Sequence, residues 1–129
     1  MVPTAKILMA DDERNILNLA GEALRQLGYE VITVYDGISA YEKAVEWRPD
    51  LIILDRHMPG MEGIEVCKKI RENGEIQSTP IIFLTAQDTK EEIIQGYSEG
   101  ANDYITKPFN MNELMESIKK NLPNTEGEG

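Results

Sequence analysis

Two spacings of apolar residues alternate along the chain. Short runs rich in Ile, Leu, Val and Phe recur at Lys6–Ala10, Glu30–Tyr35, Leu51–Leu54, Pro80–Thr85 and Asp103–Thr106. They are too short for stable helices, so they predict strands, most of them buried on both faces. Longer amphipathic segments lie between them. The first carries Ile16, Ala20, Ala23, Leu24 and Leu27 and stops at Gly28; the second carries Ile38, Tyr41, Ala44 and Val45 and stops before Pro49. The third carries Ile64, Cys67 and Ile70, which places Cys67 in the core. The fourth carries Ile93, Ile94, Tyr97 and Ala101 and opens with Asp88 and Glu91 at capping-box spacing. The fifth carries Met111, Leu114, Met115, Ile118 and Leu122, with Asn110 as its cap. Gly96 lies inside the fourth segment. An interior glycine costs about 1 kcal/mol relative to alanine, which marks this helix as an element able to move.

Five strands alternating with five helices define a (βα)₅ chain: an α/β fold with a doubly wound parallel five-stranded sheet, right-handed crossovers and helices on both faces. A length of 129 residues suits one domain. That domain is expected to span residues 1–122, with the polar stretch 123–129 as a loose tail. Thirteen basic against 23 acidic residues leave a net charge of −10, which repels phosphate backbones and anionic lipid. Nucleic acid and membrane are therefore not expected partners. The single cysteine excludes an intramolecular disulfide and fits a reducing, cytoplasmic setting. No basic-then-apolar leader opens the chain, and no apolar run approaches the ~20 residues that span a bilayer.

In an open parallel sheet, ligands bind beyond the carboxyl ends of the strands. The residues there are Asp11, Asp12 and Glu13 after the first strand, Asp55 after the third, Thr85 and Ala86 after the fourth, and Lys107 with Pro108 after the fifth. Two carboxylates 4 Å apart repel by about 4 kcal/mol at an effective dielectric of 20. Three close together need a compensating cation, of which Lys107 supplies one charge. Oxygen ligands alone, with room left for water, suit Mg²⁺ or Mn²⁺ as the other. A carboxylate can be a nucleophile toward phosphorus, and phosphoryl transfer requires the charge on three equatorial oxygens to be neutralised. A metal on Asp11 and Asp12 would take one oxygen, the Thr85 hydroxyl and Ala86 N–H another, and Lys107 the third, with Asp55 as nucleophile.

Four motifs carry a resemblance at this point: the pair Asp11-Asp12, the run Asp55-Arg-His-Met-Pro-Gly-Met-Glu-Gly63, the triplet Leu84-Thr-Ala86 and the run Tyr104-Ile-Thr-Lys-Pro-Phe109. Over residues 6–122 the chain resembles a receiver domain of the two-component response regulators. The resemblance implies a flavodoxin-like sheet of strand order 2-1-3-4-5, as in chemotaxis regulators. It implies that Asp55 is the phosphoacceptor and that Asp11, Asp12, Asp55 and the backbone carbonyl of His57 hold Mg²⁺. Thr85 and Lys107 then sense the phosphoryl group, Tyr104 is the aromatic switch, and Pro108 is cis-linked. His57 and Gln87, two residues past Asp55 and Thr85, occupy positions that tune phosphoryl hydrolysis in this family. The implied function is a phosphorylation-dependent switch, not an enzyme acting on other molecules. Its implied phosphoryl source is a histidine kinase or histidine phosphotransfer protein, and the fourth helix, fifth strand and fifth helix form the face that changes. The output partner stays unnamed. A monomer is expected, with a phosphorylation-linked dimer left open.

Two other functions use the same residues. A small Mg²⁺-dependent phosphohydrolase would usually carry an aspartate two residues past its nucleophile, where this chain has His57. A phosphorylation-independent interaction module would not require the complete set of strand-end residues.

Overall fold

A computed structural model describes residues 4–122. The elements run β1 (Lys6–Ala10), α1 (Arg14–Gln26), β2 (Glu30–Val34), α2 (Gly37–Trp47), β3 (Leu51–Leu54), α3 (Gly63–Glu72), β4 (Ile81–Thr85), α4 (Lys90–Ser98), β5 (Asp103–Thr106) and α5 (Met111–Asn121). The five strands form one sheet in the order β2-β1-β3-β4-β5, every neighbouring pair parallel. This is the expected doubly wound α/β architecture. The expected tail, 123–129, lies outside the described residues.

Strand alternation divides the core into two layers. Leu8, Ala10, Ile52, Leu54, Ile81 and Phe83 face α2 and α3, meeting Ala40, Ala44, Val66, Cys67 and Ile70. Ile7, Met9, Leu51, Ile53, Ile82, Leu84 and Ile105 face α1 and α5, meeting Leu17, Leu24, Leu114 and Ile118. The central strands β3 and β4 are buried throughout, and the outer strands β2 and β5 are partly open. No helix among the described residues is long and apolar enough to cross a membrane.

Four local expectations are corrected. The buried face of α1 is Leu17, Ala20, Gly21 and Leu24, so Leu27 ends the helix exposed. In α2 the small residues Gly37, Ala40 and Ala44 are buried and Ile38 and Val45 face outward, because small side chains bring the helix close to the sheet. The capping box of α4 is Thr89 with Glu92, one residue later than Asp88 with Glu91: Thr89 Oγ1 accepts from Glu92 N–H at 3.2 Å, and Glu92 Oε1 accepts from Thr89 N–H at 3.1 Å. Its exposed face carries Ile94 and Tyr97, 58 and 45 % exposed, while Gly96 is buried. Asn110 caps α5 as expected, accepting from Glu113 N–H at 2.8 Å.

Cys67 is fully buried, and its thiol donates to Glu99 O at 3.4 Å. Burial pushes the thiol up to about 11, with the Glu99 charge adding and Arg71 opposing. About one molecule in a thousand then carries the thiolate at pH 8. Iodoacetamide at that pH is expected to leave the folded protein unmodified over hours and to label it within minutes in urea, as intact mass will report. Rapid labelling of the folded protein would contradict this placement.

Asp103 ties β5 to its neighbours. Oδ2 accepts from Ser117 Oγ at 2.6 Å and pairs with Lys120 Nζ at 3.2 Å; Oδ1 accepts from Tyr97 Oη at 3.2 Å and Tyr104 N–H at 3.0 Å. Burial alone would raise its pKa, but the bonds from Ser117, Tyr104 and Lys120 outweigh that and hold the carboxyl below its ordinary value. A carboxyl lowered on folding contributes stability above its unfolded pKa and loses it as pH falls through the folded value. Thermal unfolding should therefore show wild type ahead of Asp103→Asn at pH 6, with the lead narrowing under strong acid. A constant lead would exclude this source.

Candidate functional site

The site lies where strand order reverses, between β1 and β3. The β1–β3 register pairs Ala10 with Leu54, and Asp55 N–H donates to Ala10 O at 3.0 Å. The residues that follow these strands are thereby brought side by side. Asp11 and Asp55 are both buried and Asp12 is exposed. A carboxylate oxygen from each of the three lies within 4.8 Å of the others.

Lys107 enters from the end of β5. Its side chain is only 8 % exposed, and its Nζ lies 2.7 Å from Asp11 Oδ2, 2.5 Å from Glu13 Oε1 and 3.2 Å from Asp55 Oδ2. Its backbone N–H donates to Thr85 O at 2.9 Å, and the Lys107–Pro108 bond is cis, as expected. Burial works against the ammonium. The hydrogen bonds to Asp11 and Glu13 and the Asp55 charge outweigh it, so Lys107 is held protonated well above its ordinary value. Asp11 moves up to about 6: burial raises it and the Asp55 charge adds, against the bonds from Lys107 and from Glu13 N–H at 2.9 Å.

The remaining expected residues sit around this cluster. His57 N–H donates to Asp55 Oδ1 at 3.2 Å, while its ring turns outward and pairs through Nδ1 with Glu62 Oε1 at 3.0 Å. Thr85 is fully buried, and its hydroxyl accepts from Gln87 N–H at 3.2 Å rather than contacting Asp55. Tyr104 is half-buried, its hydroxyl donating to Gln87 O at 2.5 Å and its ring packing on Phe83 at 5.7 Å between centroids. Burial raises the Tyr104 phenol, with the neighbouring Arg56 guanidinium opposing.

Two residues gain partners that sequence reasoning did not assign them. Glu13 is a third carboxylate on Lys107. Arg56 is buried and donates through Nη1 to Glu92 O at 2.8 Å and through Nη2 to Gln95 Oε1 at 2.5 Å, joining the residue after Asp55 to α4.

Four carboxylates around one ammonium leave this edge strongly negative. A donor set of oxygens alone, partly open to solvent at Asp12, suits a hard divalent cation. The comparisons with known proteins agree with the geometry. Residues 7–119 match the model of the response regulator receiver domain. The chemotaxis response regulator CheY4 of Vibrio cholerae is 37% identical, with a TM-score of 0.87 over 93% of this chain and 100% of that one. The receiver domain of the Francisella response regulator 1452 is 32% identical, with a TM-score of 0.84 over 91% of this chain and 95% of the other. The chain belongs to the response regulator receiver domain family. It is accordingly a phosphorylation-controlled switch whose phosphoryl chemistry is confined to itself. Family membership also implies a histidine kinase or phosphotransfer protein as its partner.

Proposed function

We propose that Asp55 accepts the phosphoryl group. The observation that carries this reading is the buried Asp55 carboxylate, set beside Asp11 and Asp12 and capped by Lys107 at the carboxyl edge of the sheet. An Asp55 oxygen attacks phosphorus, the P–N bond to the donor imidazole breaks, and its electron pair stays on the imidazole nitrogen. The product is a mixed anhydride. Lys107, already 3.2 Å from Asp55 Oδ2, needs little movement to meet a new phosphoryl oxygen. The Thr85 hydroxyl would have to exchange its bond with Gln87 N–H for one to the phosphoryl group. That exchange would disturb the loop whose Gln87 O receives Tyr104 Oη, giving Tyr104 a reason to move with it.

The carboxylates of Asp11, Asp12 and Asp55, with the His57 backbone carbonyl, are the residues that would hold Mg²⁺ or, by the same donor chemistry, Mn²⁺. Such an ion supplies charge neutralisation at the phosphoryl oxygens. The outward ring of His57 leaves its carbonyl as its contribution, and the ring stays with Glu62. The face built by α4, β5 and α5 is the surface that changes affinity for an output partner.

The test is incubation with a small acyl phosphate and Mg²⁺, read by intact mass. Wild type should gain the mass of one phosphoryl group; Asp55→Asn and samples with excess chelator should not. Wild type that stays unmodified would support the phosphorylation-independent module instead. Sustained turnover of small phosphate esters would favour a hydrolase.

A further inference from the structure

We propose that Arg56 is a positioning residue: it pins the N-terminal half of α4 to the backbone next to Asp55, and α4 pivots about its C-terminal end when the pin is withdrawn. The proposal deepens the reading of Asp55 as phosphoryl acceptor and rests on it.

Arg56 is a buried cation whose hydrogen-bond acceptors on α4 are uncharged. Arg56 is 8 % exposed; its acceptors on α4, Glu92 O and the Gln95 side-chain amide, and the Tyr104 hydroxyl beside it carry no formal charge, and the charged group of α4 that feels the guanidinium is the exposed Glu92 carboxylate, held by Thr89. Such dipoles accept guanidinium N–H groups but do not neutralise the charge. In the resting protein Asp55 has Lys107 within 3.2 Å, an ammonium it shares with Asp11 and Glu13. Phosphorylation adds anionic oxygens to the neighbouring residue and a total charge near −2. The Arg56 guanidinium then has an anionic competitor to its bonds on α4, and charge-assisted bonds are about twice as strong as neutral ones.

The second observation is the uneven attachment of α4. Its C-terminal end has three ties to the rest of the fold. Tyr97 Oη donates to Asp103 Oδ1 at 3.2 Å, Cys67 Sγ donates to Glu99 O at 3.4 Å, and Arg71 donates through Nε and Nη2 to Gly100 O at 3.0 and 2.7 Å. Over residues 90–95 the hydrogen bonds from outside the helix and its two caps come, among the described residues, from Arg56 alone, while Gly96 O already accepts from Ala101 N–H at 3.0 Å. Apolar anchoring there is also thin. Ile94 is 58 % exposed, and Gly96, the buried residue, offers only backbone to the Tyr104 ring. Removing one guanidinium thus frees one half of the helix and spares the other.

Amide hydrogen exchange tests this in the full chain. In the unphosphorylated protein, Arg56→Gln is expected to speed exchange of the amides of residues 93–96 on the order of ten-fold, and Gln95→Ala by about three-fold. Amides 97–100 should stay within about two-fold of wild type. Gln95 is exposed, so its truncation leaves the core intact. With a small acyl phosphate and Mg²⁺, wild type should show faster exchange at 93–96, and Arg56→Gln should show no further increase. A merely structural arginine would leave that increment in place. Unchanged exchange at 93–96 in both variants, equal acceleration across residues 90–100, or a phosphorylation increment that survives in Arg56→Gln would each overturn the proposal. A wild type that gains no mass from the donor would overturn the Asp55 reading and the coupling that depends on it. The unmodified variants still decide the pinning by themselves.

Discussion

Lys107→Met is expected to lose about 3–5 kcal/mol of folding stability at neutral pH without added divalent ions, as measured by urea unfolding. The ammonium is buried and touches Asp11, Glu13 and Asp55. Removing it leaves two buried carboxylates facing each other with no cation, and breaking a buried pair on one side costs far more than the pair itself contributes. The loss should shrink toward pH 5, where Asp11, already raised by burial, can take up a proton. Wild type carries a smaller term of the same sign. Asp11 rises on folding from 3.8 to about 6, and a carboxyl raised on folding lowers stability as pH climbs through that interval. This runs opposite to the Asp103 term, so the two separate in a pH series. Asp55→Asn, which keeps the shape and drops one charge, should move stability upward. A Lys107→Met protein as stable as wild type would mean that the cluster is not closed in solution.

Gly63→Ala should be nearly as damaging, at about 3 kcal/mol or more. Gly63 opens α3 and donates its N–H to Arg56 O at 2.8 Å. A Cβ there would stand 2.0 Å from Asp55 O and 2.9 Å from Arg56 Cα. Those atoms are backbone, so no side chain can swing aside to make room. Either α3 withdraws or the end of β3 moves, and the second displaces the Asp55 carbonyl itself. The expected result is a lowered urea midpoint together with slower phosphorylation of whatever fraction folds. Full stability with an intact phosphorylation rate would show that α3 can back away without consequence.

Much of this could be read from the chain because two independent rules pointed to the same residues. Short apolar runs marked Leu51–Leu54 and Asp103–Thr106 to the residue. The parallel arrangement then directed attention to the next residue along, Asp55 and Lys107. Faces of helices were harder. In α1, Leu17 and Ile16 are adjacent and both apolar, and periodicity does not say which turns inward; contact with the sheet decided for Leu17. The α4 cap had the same ambiguity between Asp88 and Thr89, settled by which side chain reaches the helix N–H groups. Contacts between distant parts of the chain leave no spacing to read. Glu13 meets Lys107 across 94 positions, and Arg56 meets Gln95 across 39. Arg56 looks like an ordinary surface charge, and Glu13 like one more acid at the strand end, until the fold brings each partner alongside.

The sheet ends in two short outer strands, five residues in β2 and four in β5. Each begins with an acidic residue, Glu30 and Asp103. A brief, negatively charged margin is a poor template for another chain's backbone. Strand-by-strand growth into fibrils is therefore disfavoured at both margins of the sheet.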